Sequence, residues 1–160
     1  MKIGLIGDGI HSKRIQKILK KKKLKYLIYK PQAPKYKDPA LFKKLSRCEI
    51  IFILTPNHNH FEYLKKFYPK KFIFCEKPPV TKVKDLNSLK KMNNGKIYYN
   101  FNFRFLKLSN ILQKKDKYNL GNLIYANLIL SHGLALKKEY KKSWRSNKAK
   151  SPKGIFEIVT

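Results

Sequence analysis

Acidic side chains are scarce: nine Asp and Glu stand against 38 Lys and Arg, a formal charge of +29. A surplus of that size ordinarily points to nucleic acid or another polyanion. Arginine is scarce as well, restricted to Arg14, Arg47, Arg104 and Arg145, whereas base readout and bidentate phosphate contacts favour arginine over lysine. Specific nucleic-acid binding is therefore not expected, and the lysines read as solvated faces. Their abundance, with that of Ile, Asn, Tyr and Phe, resembles the residue usage of an AT-rich genome. Cysteine is limited to Cys48 and Cys75, each beside or within an apolar run, so reduced, buried thiols are expected and a disulfide framework is not indicated. No apolar run approaches the roughly 18 residues of a membrane span. Ile3 to Ile6, entered directly from Met1-Lys2, is too short for a secretory signal. A cytoplasmic protein without a membrane partner is the expectation. No internal repeat or Gly/Ser-rich linker is visible, and 160 residues hold one ordinary domain and at most the start of a second.

Hydrophobic residues make up 42% of the chain, enough to offset chain entropy and set the disordered class aside. Apolar runs of strand length recur at Ile3 to Ile6, Leu24 to Tyr29, Ile50 to Leu54, Phe72 to Cys75 and Ile97 to Tyr99. Between them lie sets with helical spacing: Ile15, Ile18 and Leu19; Leu41, Phe42 and Leu45; Phe61, Leu64 and Phe67; Leu86, Leu89 and Met92. This alternation predicts an α/β fold of βαβ units on a parallel sheet. The run Lys20 to Lys23 falls where the first helix should end, where cations suit the helix dipole. After Phe103 the pattern changes to a helix over about Leu106 to Lys117, a Gly121-Asn122 turn and a long strand over Leu123 to Leu130. The chain is thus divided into a domain over 1–103 and the incomplete start of an α+β domain over 104–160.

The first strand runs into Gly7-Asp8-Gly9-Ile10-His11-Ser12 and then a helix, the setting in which a Gly-x-Gly-x-x-Gly pattern binds a dinucleotide. Gly7 permits the tight turn, Gly9 lets a pyrophosphate approach the backbone, Ile10 opens the helix, and Ser12 is small enough for the third position. His11 reads as a polar group at the helix start and not as a catalyst. The second strand normally ends in an acid that holds the adenosine ribose; here Tyr29-Lys30-Pro31 stands there and no carboxylate follows before Asp38. Lys30 could neutralise a ribose 2′-phosphate, which favours NADP over NAD, or be one more surface lysine.

Two further clusters lie at the ends of the third and fourth strands: Thr55-Pro56-Asn57-His58-Asn59-His60 and Glu76-Lys77-Pro78. Together with Asn100 to Phe105, Gly121-Asn122-Leu123-Ile124 and Trp144-Arg145, they resemble the glucose–fructose oxidoreductase/inositol dehydrogenase family over nearly the whole chain. The resemblance implies a Rossmann-type domain that binds NADP or NAD and hydride transfer to or from a secondary alcohol of a sugar, cyclitol or nucleotide sugar. It maps the family's catalytic lysine onto Lys77, and a cofactor-lining role onto Thr55, Pro56, Asn57, Glu76 and Lys77. Arg104, Trp144 and Arg145 become candidates for the substrate side. His60 is expected to pack at the start of a helix. No acid or cysteine cluster accompanies His58 and His60, so no metal is expected. By the same resemblance a catalytic His would fall one or two residues beyond Thr160, most of the second domain's sheet would follow, and the complete enzyme would be a homo-oligomer. Glu157 receives no role. A reading of another class is a non-catalytic nucleotide-fold protein that binds nucleic acid or an acidic partner through its lysines. The absent His favours it, and Glu76-Lys77-Pro78 opposes it.

Overall fold

The computed structural model describes residues 1–31, 39–92, 95–119, 121–122, 124–125, 127, 129 and 138–142. Its elements are β1 (Ile3–Ile6), α1 (Ile10–Lys21), β2 (Tyr26–Tyr29), α2 (Pro39–Leu45), β3 (Ile50–Ile53), α3 (His60–Phe67), β4 (Phe72–Glu76), α4 (Val83–Lys90), β5 (Ile97–Asn100), α5 (Lys107–Gln113) and α6 (Lys138–Lys141). The five strands form one parallel sheet in the order β2-β1-β3-β4-β5. This is the parallel α/β sheet that the alternation predicts, in the Rossmann-type arrangement that the resemblance implies.

Strand residues alternate between faces, and two apolar clusters result. Ile3 and Leu5 of β1 pack with Leu19 of α1 on one face. Ile6, Ile51, Ile53, Ile73 and Cys75 pack on the other with Leu45 of α2, Phe61, Leu64 and Phe67 of α3, and Leu89 of α4. Helices on both faces explain why the strands read as nearly continuous apolar runs and not as alternating ones. Burying each of these large side chains stabilises the fold by about 1.5–3 kcal/mol relative to exposure. Cys48 and Cys75 are free and buried, and burial pushes the Cys75 thiol well above its ordinary range, so it stays protonated and unreactive.

Helical spacing marked the right segments but not every contact. Ile18 and Leu86 are exposed, because the apolar stripe that meets the sheet is narrower than the periodic set. β2 starts at Tyr26 and not at Leu24, since Leu24 is used to close α1. Its N–H donates to Leu19 O at 3.0 Å, Lys23 N–H donates to Lys20 O at 2.9 Å, and Lys23 takes φ +55°. These bonds satisfy carbonyls at the helix end in the Schellman manner, with a lysine where glycine is usual. The predicted helix over Leu106 to Lys117 divides into α5 and a 3-10 turn over Lys115–Tyr118. Of the predicted strand Leu123 to Leu130, the described residues Ile124, Tyr125, Asn127 and Ile129 form no ladder.

Candidate functional site

The register sets the site. Ile6 pairs with Tyr29 and with Ile53, Ile53 with Cys75, and Glu76 with Asn100. The residues that follow each strand level, namely Gly7, Lys30, Leu54, Glu76 and Asn100, therefore share one edge of the sheet, the carboxyl edge. From β1 the chain turns one way to β2 through α1 and then returns past β1 to β3. Where the winding reverses, α1 and α3 lie on opposite faces of the sheet, and it is beyond the carboxyl ends of the strands at such a point that open α/β sheets bind ligands.

Gly7 is demanded twice over. Its φ is +112°, and a Cβ there would lie 2.6 Å from Leu54 O and 2.8 Å from Leu54 C. The close approach is held by Gly7 N–H donating to Tyr29 O and Leu54 N–H donating to Ile6 O, each at 2.8 Å. Gly9 is different: it has extended backbone at the N-cap of α1, and a Cβ there would meet nothing within 4 Å. Among the described residues no side chain caps α1, and its first turn holds no acid, so its leading N–H groups lack both an intrahelical and a capping partner. Ser12 is fully buried and accepts a hydrogen bond from Gln16 Nε2 at 3.1 Å; a small side chain is what this depth permits. Ile10 is exposed. Gly9→Ala is accordingly expected to leave stability within about 1 kcal/mol of wild type while lowering dinucleotide affinity by about tenfold or more. Thermal unfolding and cofactor titration of one preparation separate the two effects, and an equal loss in both would contradict the assignment.

Sequence inspection missed a carboxylate. No acid follows Lys30 along the chain before Asp38, which lies outside the described residues, yet Asp8 of the glycine loop reaches across the sheet edge to Lys30. Its Oδ2 lies 2.8 Å from Lys30 Nζ. That hydrogen bond holds the Asp8 carboxyl below its ordinary value, against the opposing effect of partial desolvation. A residue whose partner lies 22 positions away gives no local signal. The parallel β1–β2 pairing brings them together.

At the same edge, Thr55 follows β3, and Asn57 opens a 3-10 turn over Asn57–Asn59 that leads into α3. Thr55 and Asn57 are buried, and Thr55 Oγ1 has no hydrogen-bond partner among the described residues. Pro56 is half-buried. Lys77 is the first residue after β4 and is half-buried. Glu76, the last residue of that strand, accepts a hydrogen bond from Asn100 Nδ2 at 2.7 Å. The same oxygen lies 3.6 Å from His11 Nδ1 in the first turn of α1. His11 thus faces the Glu76 carboxylate across the sheet edge, a placement its reading as a helix-start polar group did not include. His60 is the first residue of α3 and fully buried. Arg104 is exposed in the 3-10 turn over Asn102–Phe105. Trp144 and Arg145 lie outside the described residues.

Residues 5–97 match the family described as an oxidoreductase family with an NAD-binding Rossmann fold. Among solved structures, the chain is similar to the WlbA (WbpB) dehydrogenase from Thermus thermophilus, crystallised with NAD and UDP-GlcNAcA, at 18% identity and a TM-score of 0.69. That alignment covers 99% of this chain and 59% of the other. It is also similar to the dehydrogenase MviM from Clostridium difficile, at 21% identity and a TM-score of 0.53 over 71% of this chain and 44% of the other. An oxidoreductase from Sinorhizobium meliloti aligns at 18% identity and a TM-score of 0.54 over 72% and 42%. At these identities the likeness is one of fold, and the chain spans about 59% of the length of the first of these relatives. No curated protein sequence matches the chain.

Proposed function

The chain belongs to the oxidoreductase family with the NAD-binding Rossmann fold, and from that premise we propose that it binds NAD and serves hydride transfer at a secondary alcohol of a nucleotide sugar. The observation that carries the reading is the shared carboxyl edge of the sheet, which brings together the Gly7-to-Gly9 loop, Thr55, Asn57 and Lys77, with open space where a Cβ on Gly9 would lie. The glycine loop and the leading amides of α1 would hold the pyrophosphate. Thr55, Pro56 and Asn57 would line the nicotinamide ribose, where the unpartnered Thr55 Oγ1 gains by any hydrogen bond it finds. Bound nicotinamide supplies the hydride acceptor or donor. Lys77 would supply the polar chemistry: its ammonium would donate to the alcohol oxygen, orient it, and stabilise the charge that develops there as the hydroxyl proton passes to a general base, the role that the resemblance gives to a His beyond Thr160. Residues 1–103 form the dinucleotide domain in this reading, and 104–160 the beginning of the substrate domain.

The Asp8–Lys30 pair supports a preference for NAD, against the NADP preference drawn from Lys30 alone. A lysine already held by a carboxylate has little charge to offer a 2′-phosphate, and the Asp8 carboxylate repels one while it can accept a hydrogen bond from a 2′-hydroxyl. Titration with both dinucleotides is expected to give tighter binding of NAD. Asp8→Asn, which removes the repulsion and releases Lys30, is expected to shift the NADP/NAD affinity ratio by about tenfold towards NADP. An unchanged ratio would remove Asp8 from the ribose site, and no binding of either dinucleotide to wild type would remove the glycine-loop assignment. A nucleotide sugar is proposed because the relative with the 0.69 TM-score was crystallised with UDP-GlcNAcA and because an anionic substrate suits a chain of charge +29.

A further inference from the structure

The carboxylates of Asp8 and Glu76 share the carboxyl edge but meet counter-charges of different kinds. Asp8 meets the Lys30 ammonium at 2.8 Å, and lysine as a residue type is a cation throughout the neutral range. Glu76 meets His11, whose Nδ1 lies 3.6 Å from Glu76 Oε1, and imidazole is the side chain whose charge ordinarily changes between about pH 5 and 8. The Glu76 side chain is only 12% exposed, and its Oε1 accepts from Asn100 Nδ2 at 2.7 Å, so the carboxylate is held in place. The His11 side chain is 46% exposed and exchanges protons freely with water. As the second residue of α1, His11 stands in the turn whose leading N–H groups are assigned to the pyrophosphate. Two influences oppose each other on its ring: the Glu76 carboxylate favours the imidazolium, and the positive end of α1 disfavours it. A diphosphate at the start of α1 would add its negative charge on the side of the imidazolium. Without that cation, the diphosphate would meet in Glu76 a group of its own sign.

We infer that His11 is the titratable counter-charge of the dinucleotide site: it takes up a proton from solvent as the diphosphate binds, and as imidazolium it offsets the repulsion between that diphosphate and Glu76. The inference rests on the proposed placement of the pyrophosphate at the glycine loop. Other charged groups on the elements at this edge are Asp8 and Lys30, Lys13 and Arg14 of α1, and Lys77 after β4; residues of these types keep their charge between about pH 6 and 8. Thr55 and Asn57 after β3, and Asn100 of β5, carry none. Of the other described histidines, His58 is half-buried and His60 fully buried, which leaves His11 as the exposed one. The sign of the linkage follows. A ligand that favours the protonated ring binds most tightly at low pH, and its affinity falls as pH rises through the titration of that ring.

Calorimetric titration of the wild-type chain with NAD and with ADP-ribose, repeated between about pH 6 and 8 in buffers of different ionisation enthalpy, tests the inference. The two ligands share the diphosphate, so both are expected to bind about fivefold or more weakly at the upper pH, with net proton uptake on binding. His11→Asn is expected to abolish the uptake and flatten the profile. Glu76→Gln, which removes the group that favours the imidazolium, is expected to move the fall in affinity to lower pH. A flat profile in wild type, or one as steep in His11→Asn as in wild type, would overturn the inference and leave the glycine-loop site standing. An unmoved profile in Glu76→Gln would overturn the part given to that carboxylate. Absence of binding at every pH would overturn the site and the inference together. Should His11→Asn fail to fold, wild-type proton uptake and the Glu76→Gln profile decide.

Discussion

Gly7→Ala is expected to destabilise the protein by about 3 kcal/mol or more and to abolish dinucleotide binding with it. Two independent penalties meet at this residue. A φ of +112° lies where an L side chain is strained, and the new methyl would sit 2.6 Å from Leu54 O and 3.2 Å from Thr55 N. Those atoms are backbone, so no rotamer change relieves the contact. Relief requires the end of β1 to move away from the end of β3, which breaks the Leu54 N–H bond to Ile6 O at 2.8 Å. Urea unfolding monitored by circular dichroism is the measurement, with Gly9→Ala as its companion. The contrast is the test, since Gly9 has open space where Gly7 has backbone. Similar unfolding midpoints for the two variants would contradict the geometry at the β1–β3 crossing.

In an enzyme that carries the whole substrate domain, Lys77→Ala is expected to lower turnover by about a hundredfold, or roughly 3 kcal/mol of transition-state stabilisation, with NAD affinity nearly unchanged. The residue stands immediately after β4, half-buried, at the edge of the sheet that carries the glycine loop. In the proposed reading, losing an ammonium there removes a donor to the developing alkoxide and leaves the pyrophosphate contacts at the other end of the cofactor alone. Lys71→Ala is the control. Lys71 directly precedes β4 and so stands at the amino edge of the same strand, where it should affect neither quantity. Steady-state rates with a UDP-linked sugar acid and NAD, beside a cofactor titration, distinguish the outcomes. Near-normal turnover of Lys77→Ala would remove its catalytic assignment, and a parallel loss of NAD affinity would recast it as a cofactor-binding residue.

Much of this fold is legible in the chain itself, for a local reason. Apolar runs of strand length and sets with helical spacing are written along contiguous residues, so β1 to β5 and α1 to α4 fall within a few positions of where those patterns place them. Gly7 and Gly9 carry meaning because the backbone they sit in is a strand, a turn and a helix in immediate succession. What the periodicity overstated is equally physical. Ile18 and Leu86 fit the helical pattern but stay exposed, because only packing against a particular sheet decides how wide a helix's buried stripe is. Leu24 reads as strand and serves as a helix cap, because the last turn of α1 has carbonyls to satisfy before β2 can begin.

The chain alone therefore determined the strand and helix order, the glycine loop, and the placement of Thr55, Asn57 and Lys77 at strand ends, since each depends on neighbours within a few residues. The pairings of Asp8 with Lys30, His11 with Glu76, Glu76 with Asn100, and His60 with both Thr55 and Pro78 were decided only by the tertiary structure. Most of these partners lie 18 to 65 positions apart in sequence, and they meet because parallel strands in the order β2-β1-β3-β4-β5 bring their carboxyl ends to one edge. A hydrogen bond is made across space, and strand register, which no single segment encodes, is what sets those distances.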